Sequence, residues 1–274
     1  MLIRSDNDLF PRSAYLKGLP ATVTSRWRHR VASLAPSPSV DMAWRRSMRV
    51  FASALAERGA TSVLVIGAGT QRMSLDAFFT SYPGIRVAYS DVDVRAAVDV
   101  FCDAHELPFK DDVFDGVVAS AVLEHVLYPE RVAAEMHRVL VKGGLVYSEI
   151  PFLQQVHEGA YDFTRYTLSG HRRLLNHFAE LSSGVVAGPG TALVWAIGHF
   201  SASCAPHPSL RGALRLAART AFFWLKYFDY LFDQSGAAAD GASCTFFLGK
   251  KEDTPRPDRE IVERYVGVKT LRHT

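Results

Sequence analysis

Gly67-Ala68-Gly69 stands directly after the apolar run Ser62-Val63-Leu64-Val65-Ile66. Glycine lets the chain turn tightly and lets the backbone approach a bound nucleotide, although the same residues also serve plain packing. A dinucleotide loop places a third glycine three positions after the second. Here that position is Arg72, so a pyrophosphate site is poorly supported. Asp91 closes the next strand-like segment. A carboxylate at a strand end accepts the two ribose hydroxyls of a nucleoside lying across the sheet, whichever cofactor carries it. Asp103 lies just past a third short segment. It either accepts from an adenine amino group or caps a loop turn.

A second group of reactive side chains lies in residues 151–166. Pro151-Phe152-Leu153-Gln154-Gln155-Val156-His157-Glu158-Gly159-Ala160-Tyr161-Asp162-Phe163-Thr164-Arg165-Tyr166 is rich in His, Glu, Tyr, Asp and Arg for a connector. It follows a strand, which puts it at the carboxyl edge where α/β ligand crevices form. The spacing of His157, Glu158 and Asp162 matches no defined metal site, so no metal is expected.

The elements that position these residues are legible as an alternation. Ser62 to Ile66 is unbroken in apolar character, as a parallel strand covered on both faces requires. Further strands are expected at Arg86–Ser90, Val98–Phe101, Gly116–Ser120 and Leu145–Ile150. A helix carrying Trp44, Met48, Phe51 and Leu55 on one face precedes them and ends at Gly59. Another opens at Pro129, buries Val132, Met136, Val139 and Leu140, and is expected to close at Gly143-Gly144. After Pro151 come a helix near Leu168–Phe178, a strand at Leu181–Ala187, an apolar helical stretch over 190–240 and a last strand at Cys244–Leu248. The fold class is α/β, with a doubly wound, mostly parallel sheet. The domain is expected to span 39–274, after a basic arm over 1–38. Within it lie a cofactor core at 60–151, an acceptor loop at 151–166 and a helical insertion at 190–240.

Taken together, these residues resemble the class I methyltransferases of the type 11 group. The resemblance runs through VLVIGAGT, Asp91, CDAHELPFKDDVFDGVVASAVLEHV and RVLVKGGLVYSEIP, roughly residues 60 to 151. It implies a Rossmann-like seven-stranded sheet with the last strand antiparallel, and S-adenosylmethionine as cofactor. It also implies that Gly67, Ala68 and Gly69 line the methionine and ribose and that Asp91 holds the ribose hydroxyls, with Val92 beside it. Asp103 and Ala104 would flank the adenine, while Ser120 closes the methionine side and His125 joins the pocket wall. Two departures stand out: Val65 replaces a common acid, and Gln71 a common small residue. Residues 157–167 look like the H-x-x-x-x-D-F-x-R-[FY]-T segment of methyltransferases that accompany bacterial polysaccharide biosynthesis. That association suggests a saccharide or other small-molecule acceptor.

Methyl transfer from a sulfonium needs mainly alignment and desolvation. An alcohol acceptor also needs a base, for which His157 is the first candidate and His125 the second. Asp162 would orient His157 or bind acceptor hydroxyls. Arg165 would pair with Asp162 or with an acidic group of the substrate. The plain alternative is a structural Asp162–Arg165 pair beside a surface histidine.

The formal net charge of +3 over 274 residues does not call for nucleic acid, and the three cysteines form no CxxC pair. The first fifty residues are basic and include Arg26-Trp27-Arg28-His29-Arg30; they read as a solvated lead-in. Neither a signal sequence nor a membrane span is expected, so the chain reads as cytoplasmic. Arg211, Arg215, Arg219 and Lys226 fall in one helical arc among apolar residues. Residues 210–232 therefore suit packing on the sheet, a homodimer contact, or peripheral contact with the inner face of a membrane. Two other classes share these residues with a methyltransferase: a nucleotide-dependent oxidoreductase on the same sheet, and a non-catalytic docking protein in which Val65 and Gln71 mark a degenerate pocket.

Overall fold

The computed structural model describes residues 36–69, 72–232 and 236–269. The arginine-rich stretch before Pro36 and the departure at Gln71 lie outside the described residues. The sheet has seven strands: β1 (Ser62–Ile66), β2 (Arg86–Asp91), β3 (Val100–Phe101), β4 (Phe114–Ser120), β5 (Leu140–Pro151), β6 (Phe178–Ala187) and β7 (Cys244–Lys251). Their order is β3-β2-β1-β4-β5-β7-β6. The β1–β2, β1–β4, β2–β3 and β4–β5 pairs are parallel, and β7 runs antiparallel to both β5 and β6. This is the Rossmann-like arrangement expected from the sequence.

The unbroken apolar character of β1 has the expected cause. Val63 and Val65 pack on one face with Met48, Phe51 and Leu55 of α1 (Trp44–Glu57) and Leu75 and Phe79 of α2 (Arg72–Phe79). Leu64 and Ile66 pack on the other with Val132, Met136 and Val139 of α3 (Pro129–Val139). Alternate side chains thus enter two separate cores, each buried Leu, Phe or Met contributing roughly 1.5–3 kcal/mol.

The end of α3 corrects the sequence reading. The helix stops at Val139, and Leu140 already has extended geometry and pairs with Phe114 of β4. Gly143, at φ +70°, serves a bend within β5 instead of a helix cap. Pairing with β4 offers the chain more than another helical turn. α4 (Leu168–Leu174) is likewise shorter than expected, and Phe178 begins β6.

The insertion is helical, with α5 (Pro189–Ser203), α6 (Pro208–Phe222), a 3-10 turn (Phe223–Phe228), α7 (Asp229–Phe232) and α8 (Gly236–Asp240). α9 (Asp258–Glu263) follows β7. Fully buried Asp229 accepts from the N–H groups of Gly188, Gly190 and Thr191 at 3.0, 2.7 and 3.0 Å, which satisfies the first turn of α5. Lys226 is buried and donates to the Ser37 carbonyl at 2.6 Å. It therefore leaves the solvent-facing cationic arc drawn from the sequence. Arg211 turns back to the Ala205 and Pro206 carbonyls, and Arg215 lies over Trp195 at 5.6 Å. Among the described residues, no helix is long and apolar enough to cross a membrane.

Candidate active site

The carboxyl ends of β1, β2 and β4 form one crevice edge. Gly67 has φ +66°, and a Cβ there would meet Val122 Cγ2 at 2.4 Å. Both facts require glycine at this turn. Gly69 donates its N–H to Asp91 Oδ2 at 2.8 Å, Asp93 donates to Asp91 Oδ1 at 2.8 Å, and the Ala68 N–H reaches the Ser90 carbonyl at 3.1 Å. Asp91 is thereby fixed beside the glycine turn, and each of its oxygens keeps a further lone pair for a ribose hydroxyl. Arg72 takes up a structural post, 4.6 Å above the Tyr89 ring and 3.0 Å from Asp99.

Val92 is 54% exposed at this rim, an apolar surface suited to a purine face. Asp103 accepts from the His105 N–H at 2.9 Å, and its carboxylate lies 2.6 Å from His105 Nδ1. His105 in turn accepts from the Tyr128 N–H at 3.2 Å. The loop-cap role of Asp103 is therefore real, and its side chain is exposed. Ala104 packs partly buried against the core beneath.

Ser120 ends β4 opposite Glu149 of β5 and donates its hydroxyl to that carboxylate; the Tyr147 hydroxyl donates to the other oxygen at 2.6 Å. Burial pushes Glu149 up to about 7 against the pull of these two donors. The Ser120 hydroxyl is engaged inside the protein, so what it offers a ligand is its small size. Ala121 follows in the left-handed region at φ +55° and swings residues 122–125 back across the strand ends.

Residues 151–166 fold onto that turn. Phe163 and Thr164 donate their N–H groups to the Glu124 carbonyl at 2.8 and 3.3 Å. Asp162, whose side chain has no exposed surface, receives two guanidinium N–H groups of Arg165 and the His157 N–H at 2.8 Å. Burial alone would raise its carboxyl, but Arg165 and His157 together outweigh that and hold it well below the usual carboxylate range. Arg165 also donates to the Gln154 carbonyl at 2.8 Å. Structural pairing and the orientation of His157 are thus the same device. His157 Nδ1 lies 3.4 Å from Asp162 and 3.3 Å from the Gln155 carbonyl.

The His157 ring meets His125 at 4.9 Å and Trp195 of α5 at 6.1 Å, both edge-on. His125 lies in the turn before α3, and its Nδ1 is 2.7 Å from the Tyr161 carbonyl. Burial depresses its basicity. Glu124 is fully buried, and burial lifts its carboxyl to about 8. The structure therefore brings His157, Asp162, Arg165 and His125 together, 32 residues of chain separating the two histidines, and keeps Gly67, Ala68, Gly69, Asp91 and Val92 as a second group. Glu124 and Glu149 are the groups that sequence reasoning passed over. For Glu149 the signal was a lone acid inside an apolar strand; for Glu124 it was the acid beside a histidine already singled out.

Residues 64–148 match the family model described as a methyltransferase domain. Curated relatives include the ubiquinone/menaquinone biosynthesis C-methyltransferase UbiE of Neisseria gonorrhoeae, 39% identical over 67 residues, which are 24% of this chain and 27% of that protein. The phosphatidylethanolamine N-methyltransferase of Cereibacter sphaeroides is 54% identical over 44 residues, 16% of this chain and 22% of that one. The chain thus spans about a quarter of the length of these relatives. A putative sarcosine dimethylglycine methyltransferase from Galdieria sulphuraria has a similar structure, with a TM-score of 0.51 and 13% identity over 83% of this chain and 98% of that one. So does phosphoethanolamine N-methyltransferase 2 of Haemonchus contortus in complex with S-adenosyl-L-methionine, with a TM-score of 0.50 and 14% identity over 88% of this chain and 60% of that one. At such identity the structural likeness speaks for the fold.

Proposed function

We propose that this chain, whose residues 64–148 match a methyltransferase domain, transfers the methyl group of S-adenosylmethionine to an oxygen of a small-molecule or glycan-like acceptor. The observation that carries the reading is the pairing of two prepared sites on one sheet edge. A glycine turn locked to Asp91 fits a nucleoside. The loop over 151–166, tied to residues 123–124, presents an oriented imidazole beside it. S-Adenosylmethionine supplies an activated methyl whose leaving group departs as a neutral thioether. The protein's own part is to hold the acceptor in line and exclude water. His157, steered by Asp162 and through it by Arg165, receives the acceptor's hydroxyl proton, with His125 alongside.

Exposed Trp224, Tyr227, Phe228, Tyr230, Leu231 and Phe232 give the insertion an aromatic surface that fits the headgroup level of a membrane. The acceptor would then be presented at the inner membrane face.

The test is transfer of a labelled methyl group from S-adenosylmethionine to saccharides, glycolipids, phenols and amines offered in parallel. The label should be recovered as a methyl ether. Recovery on nitrogen or carbon alone would refute the choice of oxygen. On the cofactor side, Asp91→Ala should weaken S-adenosylhomocysteine binding about 30-fold, ~2 kcal/mol, the size of charge-assisted hydrogen bonds lost to the ribose. Unchanged affinity in a folded variant would remove Asp91 from the site.

A further inference from the structure

Glu124 is fully buried, and neither of its carboxyl oxygens meets a hydrogen-bond donor. A buried polar group left unpaired costs about 1–3 kcal/mol, and more if charged. A group this costly calls for a ligand or proton to set against it. His125 Nε2 lies 3.6 Å from Glu124 Oε1. Because His125 Nδ1 donates to the Tyr161 carbonyl, neutral His125 carries its lone pair on Nε2, facing the carboxylate. Two acceptors face each other there, and a proton or a cation must lie between them.

His157 completes the arrangement. One ring nitrogen from each of His125 and His157 and one oxygen of Glu124 lie within 4.8 Å of one another. Donors bound to one ion at zinc-like bond lengths sit roughly 3–4 Å apart, so small side-chain rotations suffice to close the set. The surroundings also fit. A ligating histidine usually turns its second nitrogen to a carbonyl or carboxylate, which fixes the tautomer and strengthens the ligand. His125 does so with Tyr161, and His157 Nδ1 does so with Gln155 and Asp162, which Arg165 holds in turn.

We infer that Glu124, His125 and His157 form a binding site for a divalent transition-metal cation of the zinc class. Two imidazoles and one carboxylate are the ligand set of zinc sites that keep an open position. This departs from the sequence expectation of no metal, which considered only residues close together in the chain. Within the proposed function the two roles of His157 exclude each other: as a ligand it would have no lone pair for the acceptor's proton, and an ion whose open position took the acceptor's oxygen would instead make that hydroxyl more acidic. That clause rests on the proposed function, whereas binding of the ion does not.

The experiment uses untagged full-length protein, stripped with chelator and titrated with zinc sulfate by calorimetry, with bound metal counted after dialysis. One zinc per chain is expected, at submicromolar affinity. His157→Gln and His125→Gln, both at partly exposed side chains, should each weaken binding at least about tenfold, as should Glu124→Gln. Exposed Glu158→Gln should leave it unchanged. No stoichiometric zinc, or zinc indifferent to His157→Gln and His125→Gln in folded protein, would overturn the site. Zinc binding that persists where no acceptor oxygen is methylated would count against the proposed function alone. Methyl transfer by a chain that binds no zinc would count against the metal site alone.

Discussion

His157→Gln should lower methyl transfer about 1000-fold, ~4 kcal/mol in the barrier, while S-adenosylhomocysteine affinity stays within about twofold. The reason for the split is spatial. The proposed nucleoside side rests on Gly67, Gly69 and Asp91, none of which bonds to the 151–166 loop, whereas His157 stands on that loop with its N–H on Asp162. Glutamine keeps a side chain that hydrogen-bonds at this position but cannot accept a proton at neutral pH, so alignment survives and proton removal does not. An intact rate would leave His157 as a bystander to a structural Asp162–Arg165 pair. A loss of cofactor affinity equal to the loss of rate would mean that the loop shapes the cofactor pocket instead.

The second large effect concerns stability. His171 of α4 is fully buried, with Nδ1 3.2 Å from Thr245 Oγ1 of β7 and Nε2 3.1 Å from Ser148 Oγ of β5. Burial, with Arg172 nearby, pushes it down to about 3. Below its unfolded value near 6.5 the unfolded chain takes up a proton that the folded chain refuses, so this residue's contribution is lost as pH falls. The loss runs at up to about 1.4 kcal/mol per pH unit and totals on the order of 4 kcal/mol by pH 3. Glu149 has the opposite sign. Its folded value near 7 lies above the unfolded carboxyl, so it favours the fold at acid pH and loses that contribution as pH rises through 7. Denaturant melts from pH 7 to 4 should therefore show the stability gap between wild type and His171→Gln narrowing as pH falls. The gap for Glu149→Gln should move the other way. Parallel curves for either pair would contradict the burial assigned to that residue.

How much of this was legible in the sequence depended on the range of the interaction. β1 was readable because covering a strand on both faces demands an unbroken apolar run, and Ser62–Ile66 has one. Gly67 and Asp91 were readable because a turn and a strand end leave local marks. The boundary at Val139 was not, since whether Leu140 continues the helix or pairs with Phe114 is decided by a strand 26 residues earlier. Lys226 looked like part of an exposed stripe, and the carbonyl that draws it inward belongs to Ser37, far off in sequence. The meeting of His125, His157 and buried Glu124 was likewise hidden. It exists because the N–H groups of Phe163 and Thr164 dock on the Glu124 carbonyl, a contact with no periodic signature.

The most direct test of the central claim is calorimetric titration of the purified protein with S-adenosylmethionine, S-adenosylhomocysteine and NAD in parallel. One site with micromolar affinity for each of the first two is expected, and no heat with NAD, because Arg72 stands where a pyrophosphate loop needs glycine. Binding of NAD alone would make this an oxidoreductase fold. Silence with all three ligands would overturn S-adenosylmethionine as the cofactor, and would mean that the chain keeps the methyltransferase fold around a crevice that holds no cofactor.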